Sequence, residues 1–99
     1  MNLRDEMARL LTTYAELTSL GGPGHKTLHA WASGKTKTPQ PHAIGQLQRA
    51  LSAKVAIINA SRPLDDQGKP IGPEEEAPTV GEVRAMIEES YRAAQFSVG

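Results

Sequence analysis

The side chains best suited to chemistry lie between residues 25 and 37. His25 and His29 are four positions apart, so on a helix their imidazoles lie one turn apart, which is the spacing of two metal ligands. A zinc site needs further ligands. The zincin motif requires a glutamate between the two histidines, and this sequence has none there. No third carboxylate lies nearby. We therefore predict no metal site and no cofactor.

No grouping of residues suits catalysis either. The glycine-rich stretch 21–24 is not a phosphate-binding loop, because no strand is predicted before it and no Gly-Lys-Ser/Thr follows it. The chain has no Ser-His-Asp grouping and no paired carboxylates on facing ordered elements. We therefore expect a protein that is not an enzyme.

The charged residues are segregated along the chain, although eleven basic and eleven acidic residues cancel overall. Residues 17–64 hold six basic residues, three histidines and no carboxylate, whereas residues 65–99 hold eight acidic and three basic residues. The six basic residues are Lys26, Lys35, Lys37, Arg49, Lys54 and Arg62. A long stretch without carboxylates suits a polyanion partner. The alternative is chance segregation on a solvated surface.

Length and composition place the chain among small proteins. Its 99 residues suffice for one domain of about 60 residues and an appendage. The absence of cysteine excludes disulfides and thiolate metal sites and favours a reducing compartment. No apolar run approaches the roughly 18 residues of a membrane span, and the acidic N-terminus does not fit a signal peptide. We therefore expect a soluble cytoplasmic protein that does not enter a membrane.

Apolar residues at steps of three and four predict helices in the first part of the chain. The first stripe, over residues 3–19, is one helix or two, and we favour a break at residues 12–13 because adjacent threonines are good N-caps. Residues 21–24 must form a tight turn, since glycine and proline end a helix. A two-turn helix then runs from His25 to a stop at Ser33-Gly34. The first stripe consists of Leu3, Met7, Leu10, Tyr14 and Leu17.

A longer helix is predicted after the polar loop of residues 35–40. Pro41 fits its first position, where the missing N–H costs nothing, and the apolar pattern supports a helix over residues 41–52. The β-branched stretch Val55 to Ile58 is either its continuation or a short strand.

The last third of the sequence predicts a linker and a final helix. Residues 62–78 contain four prolines, two glycines and little apolar surface, which is typical of a flexible acidic linker. A capping box formed by Thr79 and Glu82 then begins a C-terminal amphipathic helix that ends near Phe96.

One stretch of the sequence carries residues in a familiar order and register. Leu17 is followed by Gly22, then by Thr27-Leu28-x-x-Trp31 and Ser33-Gly34-Lys35 without a gap. In these positions the chain resembles the lambda-repressor and Cro class of helix-turn-helix domains, also called Xre-type. The family's proline-bearing loop and its next helix appear, displaced by one inserted residue, as Pro39, Pro41, Ile44, Leu47, Ala50 and Leu51. The resemblance covers about residues 3–52.

The resemblance implies an all-α fold with three parts. Residues 1–61 would form a four- to five-helix lambda-repressor-like helix-turn-helix domain, residues 62–78 the linker and residues 79–99 the C-terminal helix. The core of the motif would consist of Leu17, Gly22, Leu28 and Trp31, and Trp31 is expected to be buried rather than to stack on bases. Four features depart from the family: Glu6 replaces an apolar residue, residues 10–12 do not fit the usual turn pattern, the turn over residues 21–24 is richer in glycine and proline than usual, and Gly24 replaces the common serine cap.

The same resemblance assigns DNA contacts, because the second helix of the pair presents its first residues to base edges in the major groove. The residues expected to read bases are His25, Lys26, His29 and Ala30. The residues expected to contact phosphates are Thr27, Lys35 and Lys37. The alternative for the lysines is simple solvation.

These features predict a sequence-specific transcriptional regulator, in particular a repressor that binds a palindromic operator in double-stranded DNA as a homodimer. Val83, Ile87 and Tyr91 would form the dimer contact, on the symmetry mate or on Ile57-Ile58 of the neighbouring domain. We also expect a chain cut near Arg62 to stay folded, on the view that the earlier helices close the core by themselves. Two alternatives remain: an antitoxin-like adaptor whose C-terminal segment binds a protein, and a helical module without DNA binding.

Overall fold

The computed structural model describes residues 1–96, and within them the backbone forms five helices and no strand. The helices are α1 (Leu3–Arg9), α2 (Tyr14–Ser19), α3 (His25–Ala32), α4 (Pro41–Ala60) and α5 (Val80–Phe96). An isolated bridge joins Leu64 and Pro70. The prediction of an all-α fold is confirmed. Residues 97–99, the end of the predicted C-terminal segment, lie outside the described residues.

The predicted break between the first two helices is confirmed. Leu11 adopts φ of 51°, in the left-handed region, and the side chain of Thr13 caps α2 by accepting the N–H of Glu16 at 3.1 Å. The chain therefore turns sharply after α1. Both halves of the apolar stripe still reach one core, in which Leu3 and Leu17 are fully buried.

The turn between α2 and α3 packs closely on α4 because residue 22 is a glycine. A Cβ on Gly22 would lie 2.7 Å from the carbonyl oxygen of Leu17 and 3.0 Å from the Cβ of Ala50. The N–H of Gly22 also donates to the Leu17 carbonyl at 2.9 Å. A larger residue would push the turn away from α4, so Gly22 allows α2 and α3 to share a core with it.

Helix α4 runs without interruption through the stretch that could have been a strand. Its 20 residues give a length of about 30 Å at 1.5 Å per residue. Val55 is 4% exposed and packs in the core, whereas Ile57 points outward. Tertiary packing thus overrides the weak helix preference of β-branched residues. None of the helices in residues 1–96 is long and apolar enough to cross a bilayer.

Helix α5 completes the core of the same chain. Val83 and Ile87 are fully buried in one cluster with residues of the other helices, and α5 contacts α1, α3 and α4. This corrects the assignment of Val83 and Ile87 to a contact with a second copy. Of the other predicted contact, Ile58 packs against the same cluster, whereas Ile57 is exposed. The first four helices leave a hydrophobic surface that needs a cover, and the apolar face of α5 covers it. Tyr91, which is half-buried, remains only a predicted partner contact.

The start of α5 agrees with its predicted capping box. The N–H of Thr79 donates to the Glu82 carboxylate at 3.0 Å, and the N–H of Glu82 donates to the Thr79 hydroxyl at 3.1 Å. These two bonds satisfy backbone donors that the first turn of a helix leaves free.

The segment between α4 and α5 is irregular but attached at its C-terminal end. Asn59 exchanges two hydrogen bonds with the backbone of Glu75, at 3.0 Å to the carbonyl and 2.9 Å from the N–H. The side-chain amide of Gln48 donates to the carbonyl of Pro78 at 3.1 Å, and Pro78 is buried. Residues 63–74 are exposed. The attached end guides the chain back along α4 to the position where α5 begins.

Candidate nucleic-acid interface

Helix α3 has one buried face and one exposed face. Leu28 is 0% and Trp31 3% exposed, which confirms the prediction that both belong to the core. His25, Lys26 and His29 are exposed on the other face. The side chains that the sequence assigned to base reading are therefore collected on one short helix that the core holds from behind. The remaining two α3 residues with assigned contacts, Thr27 and Ala30, are half-buried beside them.

Three aromatic rings, from Tyr14, His25 and His29, form a cluster that we call the aromatic cluster. The Tyr14 and His25 rings meet edge to face with centroids 5.1 Å apart, and the Tyr14 and His29 rings do so at 6.0 Å. The two imidazoles lie nearly parallel at 6.4 Å. In the part of the chain that the structure describes, no third potential metal ligand joins them. These ring contacts restrict the orientation of both imidazoles.

Tyr14 is a residue of this surface that sequence reasoning missed. It was predicted only as part of an apolar stripe, and it does pack against the core, but it is half-buried. The available signal was its position directly after the N-cap Thr13. The start of α2 therefore lies near the exposed face of α3.

The start of α3 offers backbone donors without a side-chain cap. Gly24 is the N-cap residue and makes no side-chain hydrogen bond to the first turn. The preceding turn is braced instead by the hydroxyl of Thr18, which donates to the carbonyl of Pro23 at 2.9 Å. Free N–H groups and the positive end of a helix favour a negative partner. Gly24, which has no side chain to cap the helix, therefore leaves these donors open.

The loop after α3 presents alternating lysines and threonines. Lys35 and Lys37 are exposed, and the end of α3 is closed by the N–H of Lys35, which donates to the Ala30 carbonyl at 2.9 Å. A shallow cavity of about 350 Å³ beside the loop is lined by Thr27, Trp31, Thr36, Thr38, Pro39, Gln40 and Ala43. Hydroxyl and lysine side chains are common phosphate-contacting groups. Thr36 and Thr38 were missed, although the Lys-Thr-Lys-Thr pattern signals them.

The lysines of this surface are not neutralised by the rest of the described chain. Within residues 1–96, none of Lys26, Lys35 and Lys37 is part of an ion pair. Lys54, which belongs to the same acid-free stretch, instead lies 3.0 Å from the Glu16 carboxylate. The Thr12 hydroxyl and the Lys54 ammonium hold the pKa of Glu16 below its ordinary range. The carboxylate closest in sequence to α3 is therefore engaged by Lys54 and not by any of these three lysines.

Six of the eleven acidic residues gather around a different part of the surface. A cavity of about 560 Å³ between α1, residues 74–78 and α5 is lined by six glutamates and by no residue of α3. The buried Glu6, which is 2% exposed, pairs there with Nε of Arg9 at 2.5 Å, and Arg9 also contacts Glu75. Its hydrogen bond to Glu6 raises the pKa of Arg9. Glu6 is thus buried without leaving an unpaired charge.

The structure brings most of the predicted site residues together and separates the others. His25, Lys26 and His29 share one face, Lys35 and Lys37 follow in the next loop, and the dimer residues of α5 lie elsewhere. Comparison of the chain with protein-family models, with curated proteins and with solved structures finds no match in any of the three. Function must therefore be inferred from the residues themselves.

Proposed function

We propose that this protein is a sequence-specific DNA-binding regulator that inserts α3 into the major groove. The observation that carries the proposal is the exposed face of α3, where His25, Lys26 and His29 are held from behind by Leu28 and Trp31. An α-helix with its side chains is about 10 to 12 Å in diameter. Such a helix fits a groove about 12 Å wide.

The proposed contacts follow from the position of each side chain. Lys26 can donate to the acceptors of a guanine, and the imidazoles can donate to or accept from base edges. Ala30 is small enough to meet a thymine methyl group. Phosphates are assigned to Thr27, Lys35 and Lys37, and we add Thr36 and Thr38 because they line the adjoining cavity.

A lambda-repressor-like arrangement is part of the proposal. Two observations support it: α2 and α3 are short helices joined by the tight turn at Gly22, and α3 ends at Ala32, just before the Ser33-Gly34-Lys35 sequence that resembles the family. In this arrangement α2 braces α3 against the DNA backbone while α3 reads the bases.

Repression through a palindromic site remains part of the proposal, with two copies on two half-sites. One small module covers too little DNA for high affinity, and proteins of this kind pair across half-sites about 34 Å apart. The pairing surface must lie outside Val83 and Ile87, which this chain buries itself. The same burial removes the observation that favoured an adaptor binding a partner through α5.

Selection from a pool of random DNA duplexes tests the proposal without knowledge of the operator. The full-length chain should enrich a short sequence motif and should bind the selected duplex more tightly than random duplex, with affinity that falls as salt rises. DNA from upstream of the chain's own gene is a second substrate. A pool that stays random after repeated rounds would contradict the proposal.

A further inference from the structure

Helix α3 is held at both of its ends by other helices. At its start, the ring of Tyr14 on α2 lies against His25. At its other end, the chain passes directly over α5 at Gly34, which is buried and has φ of 76°. A Cβ on Gly34 would lie 2.4 Å from both the Cβ of Ala94 and the carbonyl oxygen of Ser90. The backbone at the end of α3 therefore rests on α5 without an intervening side chain.

Helix α5 cannot easily yield at this contact, because it is fixed to α1 and to the core. The N–H of Leu3 donates to the hydroxyl of Ser90 at 3.2 Å, and that hydroxyl donates to the Met86 carbonyl at 3.0 Å, both in buried surroundings. One turn before Ser90, Ile87 is fully buried. Close-packed interiors transmit a displacement rather than absorb it. A change at Ala94 should therefore move the end of α3.

Helix α5 also borders the loop with the proposed phosphate contacts, through exposed residues on a neighbouring face of the helix. A cavity of about 240 Å³ is lined by Lys37, Thr38 and Pro39 from the loop, by Pro41 at the start of α4, and by Arg84 and Glu88 from α5. Helix α5 thus lies beside both the end of α3 and the residues that follow it.

We propose that Ala94 and Ser90 are positioning residues that set the tilt of α3 and thereby the DNA sequence preference of the protein. This inference rests on the proposed function. A bulkier residue at 94 tilts α3 about its contact with Tyr14. His29, one turn closer to Gly34, then moves more than His25. Base contacts tolerate only about 0.5 Å of misplacement, so discrimination between sequences falls while non-specific attraction to phosphates persists.

The test compares Ala94→Val with Ala85→Val in the full-length chain. Both changes place a β-branched residue in α5 at a similar cost in helix propensity, but Ala85 is exposed and does not contact Gly34. Two quantities are measured: the NMR signals of the His25 and His29 imidazoles, which sense the nearby Tyr14 ring, and the ratio of affinities for selected and random duplex.

We expect Ala94→Val to shift the His29 signals more than those of His25 and to lower the affinity ratio about tenfold or more. Ala85→Val should change neither. If Ala94→Val unfolds, Ala94→Ser makes the same test with one added atom. The inference would be overturned by a folded position-94 variant whose imidazole signals are unchanged. It would also be overturned if such a variant had the same ratio of affinities for selected and random duplex as Ala85→Val. Shifted imidazole signals in a protein that prefers no duplex would support the positioning and contradict the DNA-binding proposal instead.

Discussion

Single residues in this protein take conformations or environments that their types do not favour. Leu11 is the only non-glycine among residues 1–96 with positive φ, and its side chain is 87% exposed. It turns the chain between α1 and α2, a task for which glycine is better suited. Glu6 lies in the core and is stabilised there by Arg9. Leu11 has no comparable compensation, so its strain should be measurable.

Replacement of Leu11 by glycine should stabilise the protein relative to replacement by alanine. Both variants lose a side chain that contributes little packing, but only glycine relieves the left-handed conformation. We expect Leu11→Gly to exceed Leu11→Ala by about 1 kcal/mol in free energy of unfolding, measured by urea denaturation. Equal stabilities would show that the turn is not strained in solution.

The identity of the exposed residues on α3 could be predicted from the sequence, but their neighbours could not. Leu28 and Trp31 are three positions apart, so helical periodicity alone places His25, Lys26 and His29 on the other face. Tyr14 belongs to a different helix. Its contact with the imidazoles depends on how α2 and α3 cross, which no local pattern specifies.

At the scale of helices, most boundaries follow from residues within a few positions. Thr13 caps α2, Pro41 begins α4, Gly34 ends α3, and Thr79 with Glu82 begins α5. Each of these signals acts through local hydrogen bonds or allowed backbone angles, so it can be identified in the sequence. The stretch Val55 to Ile58 could not be assigned, because its helical state depends on the burial of Val55 against other helices.

The ion pair between Glu16 on α2 and Lys54 on α4 should weaken in acid. Because the pKa of Glu16 is lowered in the folded state, its contribution to stability is present above the unfolded value of about 4.3 and is lost as pH falls through the folded pKa. Glu16→Gln should cost up to about 1 kcal/mol at neutral pH, as for exposed ion pairs, and the difference from the natural chain should shrink below about pH 4.

Thermal unfolding of both chains from pH 7 to pH 3 measures this difference. Glu76→Gln is the control, since Glu76 is exposed and has no ion pair in the described chain. A stability difference for Glu16→Gln that is constant across this range would show that its carboxylate is not responsible.

At the scale of the whole molecule, α5 determines whether the other helices have a complete core. The sequence indicated which face of α5 is apolar but not what that face meets, because residues 80–96 pack on helices that lie far away along the chain. The prolines and glutamates between α4 and α5 suggested that α5 does not pack on the other helices. The attachment of Glu75 to Asn59 and of Pro78 to Gln48 brings α5 back instead.

Removal of the Ile87 side chain beyond Cβ should therefore lower stability severely. A buried isoleucine changed to alanine costs about 2 to 5 kcal/mol, whereas Phe96→Ala, at a position 88% exposed, should change the free energy of unfolding by less than about 0.5 kcal/mol. For the same reason a chain cut near Arg62 should no longer fold stably, contrary to the expectation from sequence. Urea denaturation of Ile87→Ala and Phe96→Ala measures the two losses in free energy of unfolding. Similar midpoints would contradict the intramolecular packing of α5.

The proposal that α3 reads DNA is tested by titrating three proteins against selected and random duplex over a range of salt. The proteins are the natural chain, Lys26→Ala with His29→Ala, and Lys35→Ala with Lys37→Ala. The first double variant should lose about 1 to 3 kcal/mol for each base contact on selected duplex and less on random duplex.

The second double variant should weaken binding to both duplexes and lower the salt slope by about 1 for each lysine. The proposal predicts this separation because it assigns base reading to α3 and phosphate contacts to the loop after α3. Unchanged binding of selected duplex by the Lys26→Ala and His29→Ala variant would contradict the assignment of α3 as the reading helix.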